Sequence, residues 1–141
     1  MDVGPVIGIG GIGDASLSIG GRFEYGILRF TDLGNGVLSF AGSFDHYSYG
    51  GAFGFSTTPI GATMNYHFKL DNRQLDPFFG VGLGDYIQTV PANCPGCSFN
   101  SGLYLIGRVG IRYFIVPKIA LYADAGTGAG ALHVGVMFKL K

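Results

Sequence analysis

Charge is scarce in this sequence. Lys and Arg number nine and Asp and Glu nine, together 13% of its 141 residues, where soluble domains carry about a quarter. The two signs cancel, so nothing in the net charge recommends nucleic acid or an acidic substrate as a partner. Long hydrophobic runs are missing too. The longest uncharged stretch, Tyr86 to Gly107, is broken by Pro91, Asn93, Pro95, Asn100 and Ser101, whereas a spanning helix needs ~20 predominantly apolar residues. Yet 48% of the chain is hydrophobic and the mean hydropathy is +0.36. A chain this apolar without a helical span has one other way across a bilayer. That way is a closed barrel, which satisfies every backbone polar group between strands.

What the sequence has in excess is glycine, 26 residues where average usage is about 7%. The glycines are scattered through apolar segments, and 12 Phe and 8 Tyr accompany them, which argues against disorder. Met1-Asp2-Val3 shows neither the basic region nor the hydrophobic stretch of a secretory signal. The chain is therefore expected to be a mature form with Met1 as a recombinant start.

Period-two alternation dominates, punctuated by turn residues. It predicts eight strands, at 3–12, 16–29, 36–46, 56–70, 75–89, 102–115, 119–126 and 131–140, in a single domain, 1–141. Most match the ~9–11 residues a tilted strand needs to cross hydrocarbon. Parity assigns the faces. Leu17, Ile19, Phe23, Tyr25 and Ile27 oppose Ser18, Arg22 and Glu24. Ile60, Ala62, Met64, Tyr66, Phe68 and Leu70 oppose Thr63, Asn65, His67 and Lys69. Leu103, Leu105, Val109, Ile111, Tyr113 and Ile115 oppose Arg108 and Arg112, and Val134, Val136, Phe138 and Leu140 oppose His133, Met137 and Lys139. A soluble sandwich also alternates. Long charged residues at mid-strand are instead what the lumen of a small membrane barrel accepts.

The connections divide into two ends. Tight turn signals stand at 32–36, 71–74 and 116–118, the same end as both termini under up-and-down threading. The longer stretches 46–55 and 90–101, and the short 13–15 and 127–130, fall at the other. Aromatics are expected to form two bands. Phe30, Tyr66, Phe68, Phe78, Phe79, Tyr113, Phe114 and Phe138 lie toward the terminal end, and Tyr47, Tyr49, Phe53, Phe55, Tyr86, Phe99 and Tyr104 toward the other. Two lipid–water interfaces select such bands. The fold class is all-β: an eight-stranded antiparallel up-and-down transmembrane β-barrel.

The stretch Leu75-Asp76-Pro77-Phe78-Phe79-Gly80-Val81-Gly82-Leu83-Gly84 and the run from Gly110 through Val116-Pro117-Lys118 to Gly126 carry a resemblance. They resemble the fifth strand and the strand six–seven turn of OmpA/OmpX-like outer membrane β-barrel proteins, particularly of Bacteroidetes type. The resemblance covers most of the chain, most clearly 57–140. It implies a Gram-negative outer membrane location and partners in the lipid bilayer, the outer-membrane assembly machinery and other envelope proteins. His133-Val134-Gly135-Val136-Met137-Phe138-Lys139-Leu140 is similar to the assembly signal of this family, with Gly135, Phe138 and Leu140 at its defining positions. An OmpA-type peptidoglycan-binding domain is absent from the sequence, so a cell-wall anchoring role does not carry over.

Lumen-facing parity collects Arg22, Glu24, Asn65, His67, Lys69, Arg108, Arg112, Asp124, His133 and Lys139, with Tyr122 among them. An eight-stranded barrel is just wide enough for its side chains to fill, so these charges must pair or meet water. Two readings follow: an ion-pair network that plugs the barrel, or a gated polar path. Gly4, Gly8, Gly10, Gly80, Gly82 and Gly84, expected to leave space on one side, keep the second open. Cys94-Pro95-Gly96-Cys97 reads as a small surface disulfide, since Pro-Gly favours a type II turn and no further metal ligands are near. Asp45, His46 and Ser48 read as polar rim residues, because three sequence neighbours do not make a catalytic triad. No enzyme activity and no cofactor are expected. The leading function is a structural or interaction barrel, alone or as a subunit of a larger envelope complex; the alternatives are a narrow channel for ions or small solutes and a soluble lipocalin-like ligand binder.

Overall fold

In the computed structural model the described residues are 1–10, 17–30, 36–48, 56–89 and 102–141. They form eight strands: β1 Asp2–Ile9, β2 Leu17–Phe30, β3 Gly36–Ser48, β4 Ser56–His67, β5 Leu75–Thr89, β6 Leu103–Val116, β7 Ile119–Thr127 and β8 Leu132–Lys139. Each pairs antiparallel with its sequence neighbours, and β8 closes on β1, with Asp2 opposite Lys139 and Ile9 opposite Leu132. Closure removes the edges that an open sheet would leave unpaired. The seam is extended by the Leu140 amide, which donates to the Met1 carbonyl at 2.9 Å. The expected strand set therefore stands, with ends moved by up to three residues.

Local chemistry explains the hairpins at the terminal end. Between β4 and β5 the Asn72 side chain accepts from the Gln74 amide at 3.1 Å, and the Asn72 carbonyl from Leu75 at 3.2 Å, an Asx-type turn. Pro117-Lys118 turns β6 into β7 after an extra residue, Ile115, breaks the register between Phe114 and Val116. A second irregularity lies between Gly26 and Leu28 on β2. At the far end β7 reaches β8 through 128–131, where Gly128 and Gly130 take φ of +111° and +77°. L side chains rarely adopt those angles.

Outward positions are apolar around the whole circumference. Leu103 and Leu105 are each 77% exposed, Ile19 72% and Val109 63%, and the faces of β1, β5 and β8 continue the belt with Ile7, Val81 and Val134. A continuous apolar surface of this size is untenable in water. It is the lipid face of a membrane barrel.

The aromatic bands need correction. Tyr66, Phe68 and Phe79 do cluster on the outside at the terminal end, with ring centroids 5.0 to 5.9 Å apart, and Tyr113 and Phe138 are exposed at the same end on other strands. Phe78 and Phe114, however, share the parity of Arg112 and face inward. At the far end Tyr47, Tyr86 and Tyr104 also face inward, where Tyr86 and Tyr104 stack at 4.3 Å. Nearness to an end does not decide which face a ring takes; strand parity does. Tyr49, Phe53, Phe55 and Phe99 lie outside the described residues, as does the side chain of Phe30.

Candidate functional site

The interior holds two ionic clusters separated by an apolar layer. At the terminal end Arg112 of β6 is the hub. Its guanidinium reaches Asp2 of β1 at 2.7 Å, Glu24 of β2 at 3.1 Å and Asp76 of β5 at 2.5 Å. His67 of β4 stands among the same groups, with Nε2 2.5 Å from Glu24 and Nδ1 2.8 Å from Asp76. Asn65 donates to Glu24 at 3.1 Å, and the Ser39 hydroxyl donates to the same carboxylate. Six strands thus supply one network. All of these groups are buried except Asp2 and Asp76, which open partly toward the mouth.

Above this cluster Val6, Phe78, Tyr122 and Met137 pack together, with the Phe78 and Tyr122 rings 5.8 Å apart and the Phe78 ring 5.1 Å from that of His67. Toward the far end Arg22 meets Asp45 at 3.1 Å. Arg108 donates through Nε to Asp124 at 2.7 Å and through its terminal nitrogens to the Gly130 carbonyl at 3.0 Å and the His133 ring at 2.7 Å. The Tyr122 hydroxyl donates to Asp124. His133 lies 3.0 Å from Asp124 and 3.3 Å from Asp45. Charges buried at this depth survive because each faces a partner of opposite charge.

Eight of the ten residues that parity assigned to the lumen therefore come together: Arg22, Glu24, Asn65, His67, Arg108, Arg112, Asp124 and His133. Lys69 and Lys139 do not join them. Lys69 follows the end of β4 and is exposed, and Lys139, the last residue of β8, lies 5.9 Å over the Phe114 ring. Both line the terminal mouth, where long cationic chains remain in water. Parity holds for them, but the strand ends.

Three carboxylates were missed. Asp2 precedes the expected start of β1, and Asp76 stands in the β5 entry, where no face was assigned to it. Asp45 needs a correction: it is 2% exposed inside the barrel, not at the rim. Its neighbours His46 and Ser48 are exposed on the opposite face, where His46 Nδ1 sits 3.0 Å from the Thr58 hydroxyl. Continuing the alternation through β3 would have placed Asp45 with Ser43 and Tyr47.

The glycines do not leave the space expected of them. A Cβ at Gly4 or Gly82 would overlap the neighbouring strand's backbone, at Gly80 the Asn65 side chain, at Gly84 the Tyr104 ring, and at Gly8 Ser18 and His133. Glycine here admits neighbours instead of making a void. What remains at the centre is a cavity of about 40 Å³ between the two clusters, with Asp45 and His133 on one side and Glu24 and Asn65 on the other. A vestibule of about 720 Å³ opens at the terminal mouth, floored by Arg112, Glu24, Asp76 and His67.

Gly135 packs against Pro5 and Val6, while Phe138 and Leu140 are exposed on the outer face. Cys94 and Cys97 lie outside the described residues. Among the described residues no group of His, Cys, Asp or Glu is arranged to hold a metal ion.

No family model matches the chain, and no curated protein is similar to it in sequence. Solved structures match throughout its length. Ail of Yersinia pestis, in complex with the heparin analogue sucrose octasulfate, aligns at a TM-score of 0.65 with 11% identity, over 96% of this chain and 90% of Ail. Neisserial surface protein A aligns at 0.61 with 21% identity, over 99% and 94%. The outer membrane enzyme PagL aligns at 0.55 with 16% identity, over 98% and 97%. With its closed order of eight antiparallel strands and its lipid-facing belt, the chain has the fold of the small outer-membrane β-barrels.

Proposed function

We propose that this chain is an integral barrel of a Gram-negative outer membrane, with a structural or interaction role and an interior closed to solutes. The observation that carries the closed interior is the small central cavity, about 40 Å³, where roughly 10–15 Å³ holds one water. A few waters fit there, and a hydrated solute does not. The ion pairs that fill the lumen join strands distant around the circumference, which supports a rigid frame embedded in the bilayer. Its proposed partners are the lipid, the assembly machinery that would read Gly135, Phe138 and Leu140, and other envelope proteins.

A narrow channel is the second reading, favoured by the vestibule of about 720 Å³ at the terminal mouth. It requires the central side chains to move apart. A soluble ligand binder is opposed by the exposed belt of Leu103, Leu105 and Ile19. Asp45 is buried inside the barrel and His46 is exposed on its outer face, so these two do not form a catalytic pair.

Planar-bilayer recording of purified protein tests the reading. The expected result is no stable solute-sized conductance. Steady openings on the scale of a general porin overturn the closed interior and favour the channel.

A further inference from the structure

Among the described residues the outward strand positions carry a single charged side chain, Asp85 of β5. Register sets its facing. It stands opposite Ile60 of β4 and Leu103 of β6, both exposed on the outer wall, and between Leu83 and Ile87, which share its parity. Asp85 is half-buried, and its Oδ1 is shielded from solvent and makes no hydrogen bond. The neighbouring chain has no cation to offer it. Neither 30–68 nor 74–107 contains a Lys or Arg, and none occurs in the other far-end connections, 10–16 and 128–131. A carboxylate at the edge of hydrocarbon is costly unless it is paired or hydrogen-bonded. Its partner therefore comes from outside the chain.

The surroundings point to that partner. On the outer face of β3, β4 and β5 the apolar belt gives way to polar side chains toward the far end. Phe44 pairs with Ile60, and Ile60 with Asp85. One step farther, His46 Nδ1 lies 3.0 Å from the Thr58 hydroxyl, and beyond them Ser48 pairs with Ser56 and Ser56 with Thr89. Such a switch marks the margin of the lipid-facing band, where headgroups begin. Thr58 pairs with Ile87, two residues from Asp85, so Thr58 and Asp85 are diagonal neighbours, roughly 7–8 Å apart. In either tautomer of His46 its pair with Thr58 keeps a hydrogen to donate. It is the ring Nε2–H when Thr58 donates to Nδ1, and the Thr58 hydroxyl when Nδ1–H donates. A donor thus stands one diagonal step from an unneutralised carboxylate. A phosphate accepts from the first, and an ammonium donates to the second. A divalent cation fits less well, since it takes several oxygen ligands and no second described carboxylate stands on this face.

We propose that this patch of the outer wall binds the headgroup of an ethanolamine phospholipid, its ammonium against Asp85 and its phosphate against His46 and Thr58. The proposal deepens the reading of the bilayer as a partner and rests on it. Ethanolamine is singled out because its ammonium carries hydrogens for the carboxylate. The quaternary nitrogen of choline has none, and the glycerol headgroup of phosphatidylglycerol brings no cation. Acyl chains lying over the exposed Phe44, Ile60 and Leu103 side chains hold the headgroup at this level.

The test is native mass spectrometry of the purified full chain, after equilibration in detergent micelles holding equal amounts of phosphatidylethanolamine and phosphatidylcholine with the same acyl chains. The native protein should retain the ethanolamine lipid over the choline lipid by about two- to fivefold, the scale of one partly exposed charge pair. Asp85→Asn, an isosteric change on the outer wall, should abolish the preference. Asp71→Asn, which alters an exposed carboxylate in the β4–β5 turn, should leave it unchanged. The double variant His46→Phe/Thr58→Val should lower retention of both lipids alike, because both carry the phosphate. Folding of each variant is checked by migration of unboiled protein on gels. Equal retention of the two lipids by the native protein, a preference that survives Asp85→Asn, or undiminished retention by the double variant overturns the site and leaves the lipid-facing barrel standing. A preference for phosphatidylglycerol over the ethanolamine lipid does the same. A native chain that stays monodisperse in plain buffer, free of lipid and detergent, overturns both.

Discussion

Arg112 reaches Asp2 across the lumen at 2.7 Å, although 110 residues separate them in the chain. The bond joins the first strand to the sixth, which share no edge, and the same guanidinium holds Glu24 and Asp76. Replacing Arg112 with Leu leaves three carboxylates facing one another with only His67 between them. The expected destabilisation is about 3–5 kcal/mol, the usual cost of uncompensated buried charge. Arg112→Lys should recover only part of it, since an ammonium lacks the planar fork that serves several carboxylates at once. Equilibrium urea unfolding in vesicles of one lipid composition reads both. Loss of less than ~1 kcal/mol in Arg112→Leu would show that the hub is incidental to stability.

How much of this site was legible depends on what alternation can convey. Arg22 with Glu24, and Arg108 with Arg112, stand at even spacing within long strands, so parity alone put them in the lumen. It could not say where a strand stops, and so Lys69 and Lys139 were grouped with residues whose network they only border. Asp2 and Asp76 sit at strand entries, where too few alternating neighbours precede them to define a face. The inward turn of Phe78 and Tyr104 is likewise a matter of parity, but their packing is not. Phe78 stacks on Tyr122 from another strand, and Tyr104 covers Gly84. The first contact depends on which residues meet across the lumen and the second on the register of β5 with β6, neither of which is written in a single strand.

Two glycines on neighbouring parts of the wall should respond oppositely to a methyl group. Gly82 of β5 faces inward, and a Cβ there would overlap the Ala62 carbonyl and the Thr63 backbone of β4. Backbone cannot swing aside as a side chain can, so Gly82→Ala should cost about 1–3 kcal/mol as overpacking. Gly42 of β3 faces outward with nothing within 4 Å of the added carbon. Gly42→Ala should be neutral or stabilising by roughly 0.4–1 kcal/mol, through a less flexible unfolded chain. Thermal or urea unfolding of the pair decides it, and equal destabilisation would contradict the packing of β4 against β5.

The facing of β6 gives the most direct test of the lipid surface. Arg108 and Val109 are consecutive residues in the middle of a strand running from Leu103 to Val116. Val109 is 63% exposed on the outer face, opposite Phe79 of β5 and Ala125 of β7. Arg108 points inward to Asp124, His133 and the Gly130 carbonyl. Val109→Arg places a cation near the bilayer midplane, expected to cost ~2–4 kcal/mol. That cost rises with distance from the interface, so it should shrink in vesicles made from shorter-chain lipids. Arg108→Gln should also destabilise, because Asp124 would keep only His133 and Tyr122 as partners. Its cost arises inside the protein and should not change with bilayer thickness. Unfolding both variants in a series of phosphatidylcholines of increasing chain length separates the two. A thickness-dependent penalty for Arg108→Gln and a constant one for Val109→Arg would mean that the barrel faces the membrane the other way out.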